Sequence, residues 1–482
     1  MALIRMARML VALLLVAVAA PAAGAVVHSA PVAGPPAPVV AVAPPVAVHT
    51  TGAVSALVTA TDDDEDDDPQ TIPAEDLLNP DGTLHLDGTF NGAVDINGWN
   101  VTLDPDNGPI FSPQALTYTW ENLGTGVEGV LNGSVNAIAI SGTDVFVGGF
   151  FTNAGGVTGA DYIARWNGTT WSGLLSGTVG INSPAVVTTI AISGTDVYVG
   201  GNFTGAGGVP GADYIARWDG TTWSGLLSGT FGISNTVKTI AISGTDVYVG
   251  GLFTDAGGVP GANRIARWDG TQWHAVGGAN AISGPVNTIA ITGTDVYVGG
   301  SFTDAGGVTN ANNIARWNGT SWNAVGPTPS INGTVHAIAI SGTDVYVGGF
   351  FLKAGGVPGA NNIARWNSVS NTWNLVGAAN AVNSTVRAIK VSGSDVYIGG
   401  DFTNAGGNSA ADYLVRWDGA QWTALVSGTA GVFGPVVALA VPSSDDVYAG
   451  GAFLNTGNNP FADYIARYAL ATKRVYLPLI VR

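Results

Sequence analysis

The stretch VTTIAISGTDVYVGGNFTGAGGVPGADYIARWDGTTW, residues 187–223, holds the pattern on which the fold turns. Val187 to Ile192 and Val197 to Phe203 are runs rich in β-branched residues, separated by the turn sequence Ser193-Gly194-Thr195-Asp196. That arrangement predicts two antiparallel strands, A and B. A long Gly-rich loop then leads to strand C at Tyr214 to Trp218, and Asp219-Gly220 turns the chain into strand D, starting near Trp223.

The same text returns along the chain. The Gly pair that follows strand B begins at Gly148, Gly200, Gly250, Gly299, Gly348, Gly399 and Gly450, in steps of 49 to 52 residues. A period near 50 built only of short β patterns predicts four-stranded propeller blades, so the expected fold is an all-β, seven-bladed β-propeller. The composition of 70 Gly and only 11% charged residues suits short strands joined by tight turns. An extra D-type strand around Tyr118 to Leu123 precedes the first copy, whereas the seventh ends at Tyr468 without one. Trp120 occupies the role that Trp171 and Trp223 have elsewhere. The N-terminal strand is therefore expected to complete the last blade and close the ring, which removes the exposed sheet edges.

A strand ending in Gly-Gly, a variable loop and then two spaced aromatics, here Val197-Tyr198-Val199-Gly200-Gly201 with Trp218 and Trp223, resembles the kelch repeat. The resemblance covers roughly residues 117 to 470 and implies a kelch-like propeller of the bacterial secreted or surface type. Two features depart from the kelch pattern: Trp stands at the first aromatic position, and the B-to-C loops carry an added Ala-Gly-Gly.

Outside the repeats, Arg5 and Arg8, the apolar run Met9 to Ala20 and then Ala23-Gly24-Ala25 have the layout of a secretory signal, expected to span residues 1–25. No other stretch approaches the roughly 20 apolar residues of a membrane-spanning helix. Residues 26–75 read as an extended linker, Ala- and Pro-rich at first and then seven consecutive acidic residues at Asp62 to Asp68. Residues 76–115 read as a short β-rich segment, 116–470 as the propeller and 471–482 as a tail. The tail, Val475 to Arg482, resembles one found on many exported proteins of filamentous phototrophic bacteria; from its residues alone it reads as an apolar strand packed on the propeller. The expected destination is the cell surface or the exterior. With no Cys, stability must come from packing. A formal charge of −17 argues against a nucleic-acid partner.

Residues repeated in every copy read as scaffold. Thirteen of the 14 Trp fall at the two aromatic positions and are expected between blades. One Arg on strand C and one Asp at the A-to-B turn recur in each copy, as in Arg217 and Asp196, and suggest structural ion pairs.

Residues that differ between copies are where function could sit. The second position of strand A is Asn136, Thr188, Lys238, Asn287, His336, Arg387 and Val437. Because the innermost strand lines the central channel, these should ring one mouth, made basic by Lys238, His336 and Arg387. Arg264 and Lys353 in the B-to-C loops and Lys390 further down strand A add to a candidate ligand site of Asn136, Lys238, Arg264, Asn287, His336, Lys353, Arg387 and Lys390. Such a mouth on an acidic body would attract an anionic group. The plainer reading is a set of solvated rim residues.

Acid-base catalysis has little to work with, because no Glu follows Glu128 and the repeats hold only His274 and His336. The kelch-like copper oxidases of the galactose oxidase type need a Tyr-Cys cofactor, which a chain without Cys cannot make. No cofactor or metal is implied. The expected function is a binding or scaffolding module for a protein or glycan at the cell surface, acting through the loop face. The rival is a polysaccharide-active hydrolase or lyase with its site at the channel mouth.

Overall fold

Each of the first six repeats folds into a four-stranded antiparallel sheet whose strands lie in sequence order. The computed structural model describes residues 71–73, 77–79, 83, 91–95, 99–104, 108–113, 117–124, 130–278, 281–327, 330–470 and 476–480. The expected signal at 1–25 lies outside the described residues, and so does the linker at 26–75 apart from Thr71–Pro73. Two units are distinct: Thr117–Ala471 form the propeller, and the described residues before and after it form the other.

In blade 2 the strands are Val186–Ser193, Asp196–Asn202, Ile215–Trp218 and Trp223–Gly225. Strand C starts one residue later than expected, since Tyr214 takes a left-handed φ of 62°. There its N–H donates to the Phe203 carbonyl and its own carbonyl accepts from the Gly201 N–H, both at 2.9 Å.

The last blade is made from both ends of the propeller. Val436–Ser443, Asp446–Gly451 and Ile465–Leu470 are joined by Tyr118–Glu121, with Tyr468 opposite Trp120 and Arg467 opposite Glu121. Trp120 and Tyr468 tilt together at 5.1 Å, as Trp218 and Trp223 do at 5.3 Å in blade 2. The seven inner strands contact one another in a closed cycle, blade 7 meeting blade 1. The ring is therefore a seven-bladed β-propeller closed by its N-terminal strand.

The repeated residues explain the spacing. The first Gly of each pair lies on the Val at the head of the next inner strand, Gly200 on Val237 for example, and any Cβ there would collide. A Cβ on the second would strike the backbone of its own strand A, as Gly201 would strike Val186. In the B-to-C loop the first Gly of Ala-Gly-Gly has φ of 65° at Gly207 and lies under the Trp223 indole, so it is needed for both backbone and space. Gly457 lies under Trp120 in the same way across the closing strand.

The indole N–H of the strand-D Trp reaches the preceding blade. It donates to a Leu carbonyl in four cases: Trp171 to Leu123, Trp223 to Leu174, Trp273 to Leu226 and Trp120 to Leu425. In the other three, Val-Gly follows strand D instead, and Gly277, Gly326 and Gly377 have φ of 75° to 83°. That φ rotates the peptide plane bearing the Val carbonyl, and the indole N–H groups of Trp322, Trp373 and Trp422 are buried without a partner. All seven Arg–Asp pairs form, at 2.7 to 3.4 Å. Half-exposed as they are, each contributes at most about 1 kcal/mol.

The other unit contains a sheet of Thr71–Pro73, Asn91–Asp95 and Tyr476–Ile480, and a hairpin of Trp99–Asp104 with Gly108–Pro113. The C-terminal tail is thus a strand, as its residues suggested, but its hydrogen-bonding partner is Asn91–Asp95 rather than a propeller strand.

If Trp120 completes blade 7, Trp120→Ala should cost about 3–5 kcal/mol, the same range as Trp223→Ala, by urea unfolding followed on circular dichroism. A loss for Trp120→Ala far below that of Trp223→Ala would mean that the closing strand adds little.

Candidate functional site

Strand A of every blade carries one extra residue near its start. In blade 2, Val187 pairs with Gly201 and Thr189 with Gly200, which leaves Thr188 as a bulge. The same shift falls at Asn136, Lys238, Asn287, His336, Arg387 and Val437. The variable second position is therefore the bulged residue in all seven blades. A bulge re-aims a side chain, and here the re-aimed side chains reach toward the next blade.

Most of this ring is engaged in joining blades. The Asn136 amide donates to the Val187 carbonyl at 3.3 Å, the Thr188 hydroxyl to the Val237 carbonyl at 2.6 Å and the Asn287 amide to the Val335 carbonyl at 3.0 Å. Lys238 Nζ donates to Asn287 Oδ1 at 2.9 Å. Arg387 clamps Asp401 through two bonds of 2.6 and 2.7 Å. Asn136 and Asn287 thus each commit an amide N–H to the scaffold, and Asp401 makes the mouth less basic than the sequence suggested. Asp401 was legible in principle, since it directly follows Gly400 at the end of strand B and so lies level with the bulge.

His336 sits among these charges. Burial lowers its pKa first, Arg387 and Lys238 lower it further, and Asp401 opposes them. The imidazole is therefore neutral at pH 7. Burial also lowers the pKa of Lys238.

The other candidates separate from the ring. Arg264 holds the left-handed position before strand C, where its carbonyl accepts from Gly251 and its guanidinium donates to the Leu252 carbonyl. Lys353 is exposed in the B-to-C loop of blade 5. Lys390 lies three residues beyond the bulge on strand A of blade 6.

The larger feature of this face escaped the sequence reading. Seven large apolar side chains are exposed among the described residues. Phe150, Phe350, Leu352 and Leu454 stand at the loop end of strand B or in the B-to-C loops, and Phe231 and Phe433 stand in the D-to-A connections. Both sets of loops open on the face that bears the bulges. Only Val369, in a C-to-D turn, lies on the opposite face. All but Phe231 of the six belong to blades 5, 7 and 1 and the connection between blades 6 and 7. A separate groove of about 530 Å³ lies between blades 5 and 6, lined by Tyr346, Arg365, Gly377, Trp417 and Trp422.

The histidine's sign can be tested. Its folded pKa lies below the ordinary 6.5, so below pH 6.5 the unfolded chain takes up a proton that the folded chain resists, and stability falls until the folded pKa is passed. His336→Asn, which installs the residue of blades 1 and 4, should lose less stability than the native chain between pH 7.5 and 5 in urea titrations. Equal losses would show that His336 is not held neutral.

Among known proteins, the family model described as the Rax2 C-terminal beta propeller domain matches residues 279–427, which contain blades 4 to 6. No curated protein matches the chain. Among solved structures it is similar to the computationally designed Ika8 protein, at 16% identity over 74% of this chain and 99% of that one, with a TM-score of 0.44. It is also similar to the extracellular domain of the putative one component system BT4673 from B. thetaiotaomicron, at 11% identity over 72% of this chain and 40% of that one, TM-score 0.47. A third is the GH74 enzyme of Niastella koreensis, at 16% identity over 74% of this chain and 55% of that one, TM-score 0.44. This chain thus spans about half the length of the last two. The family match, like the ring of seven sheets, places the chain among the β-propellers.

Proposed function

We propose that this chain is an exported binding or scaffolding module, kelch-like in type, which engages a protein or glycan at the cell surface through its loop face and performs no catalysis. The observation that carries this reading is the asymmetry of the two faces: among the described residues, six of the seven exposed large apolar side chains stand on one of them. Single exposed apolar residues are ordinary on a soluble protein, but their concentration on one face is what a docking surface requires. The leader-like sequence at 1–25 supports export. Among the described residues no helix is long and apolar enough to cross a membrane.

Purified full-length chain, titrated against a panel of plant and bacterial polysaccharides and against washed cell envelopes, should bind saturably and release no reducing ends or unsaturated products. The double variant Phe150→Ser with Phe350→Ser should weaken that binding at least tenfold while keeping the circular dichroism spectrum. Turnover of any polysaccharide would replace this reading with the hydrolase or lyase. Unchanged affinity of the double variant would move the binding surface elsewhere.

A further inference from the structure

One residue of the inner strands breaks the repeat in a way that the scaffold does not ask for. The fifth position of strand A is Ala139, Ala191, Ala241, Ala290, Ala339 and Ala440 in six of the blades, and Lys390 in blade 6. It pairs in register with Tyr397, which is buried against blade 7 and donates its hydroxyl to the Ser444 carbonyl. The lysine side chain instead remains open to solvent. It stands on the strand that lines the channel, roughly 10 Å below the bulge at Arg387 given a rise of about 3.3 Å per residue.

No hydrogen bond or ion pair to Lys390 occurs among the described residues, and the Arg387–Asp401 pair nearer the mouth is already closed on itself. Protein surrounds the ammonium even though water reaches it, and this burial holds its pKa below the usual lysine range. An ammonium that its surroundings partly desolvate is held more favourably with an anion beside it. Alanine would cost nothing there, as the other six blades demonstrate.

We propose that Lys390 is the anchor of an anion-binding site inside the channel, taking the oxyanion group of a small ligand, a carboxylate or a phosphate, that enters past Lys238 and Arg387. The site is independent of the apolar loop face and stands whether or not that face binds a partner. An ammonium offers three donors on a flexible stem, which suits a single charged group at the end of a ligand rather than planar bidentate recognition. The acidic exterior would keep large polyanions away from the rest of the surface, and a cation on the channel wall with protein around it draws a small anion toward itself.

The test compares the full chain with Lys390→Ala, which restores the residue of the other blades and so carries little risk of misfolding, and with Lys390→Arg, which keeps the charge. Calorimetric titration with sodium glucuronate and with inorganic phosphate, at pH 7 and constant ionic strength, should give one site per chain. Lys390→Ala should weaken that site at least tenfold, whereas Lys390→Arg should retain most of it. Which titrant binds more tightly separates a carboxylate ligand from a phosphate. In anion-poor buffer Lys390→Ala should melt above the native chain, and glucuronate or phosphate should raise the native melting temperature more than that of the variant. Absence of binding, or equal binding by the native chain and Lys390→Ala, would overturn the proposal. So would a Lys390→Ala chain that melts below the native one, since Lys390 would then be a packing residue.

Discussion

Where blade meets blade, the first glycine of each Gly-Gly pair lies directly on the valine that heads the next inner strand, and nothing larger than hydrogen fits between them. This contact occurs seven times, the last placing Gly450 against Val135. It sets the distance between neighbouring sheets near the axis and brings the end of the propeller back to its beginning. Because each blade leans only on its neighbours, stability is a sum of similar interface terms. The short strand Tyr118–Glu121 matters beyond its length, since it lends blade 7 the Trp-on-Gly contact of every other blade and the indole–carbonyl bond that blades 1, 2 and 3 also make.

With the scaffold fixed by repetition, the loop end of the ring is left to vary. The bulge in strand A frees one side chain per blade from the sheet pattern, and four of the seven tie their blade to the next. The residues just past the Gly-Gly pair carry no such duty, and there the chain places Phe150 and Phe350 in the open. The opposite face is held by regular turns in which an Asp or Asn takes up backbone N–H groups, as Asp219 does from Thr221 and Thr222 at 2.8 and 2.7 Å. Those bonds hold the Asp219 carboxyl well below the usual range. One face is thus committed to turn chemistry, while the other is free of that constraint.

The propeller was legible because its constraints recur. Gly-Gly, the paired Trp and the Arg–Asp pairs each appear seven times or nearly so, and period alone assigned them to blades. The closing strand was legible from a single residue, Trp120, in the right place before the first repeat. Hydrogen bonds of the bulged ring were not, because whether Asn136 or Asn287 points at a ligand or at a neighbouring carbonyl depends on the one-residue shift in register. The exposed Phe and Leu were missed for the opposite reason: an apolar residue beside a strand reads as core. Their signal was comparative, since the residue after Gly-Gly changes from Phe150 to Asn202, Leu252, Ser301 and Asp401 with no packing demand to keep it constant.

The claim that recognition belongs to the loop face is tested most directly by hydrogen–deuterium exchange of the full chain, with and without a saturating amount of the polysaccharide or envelope fraction that it binds. Protection should fall on the B-to-C loops and D-to-A connections, at residues 150–162, 226–236 and 350–362. Protection confined to the Ser-Gly-Thr-Asp and Asp-Gly-Thr turns of the other face would contradict the account.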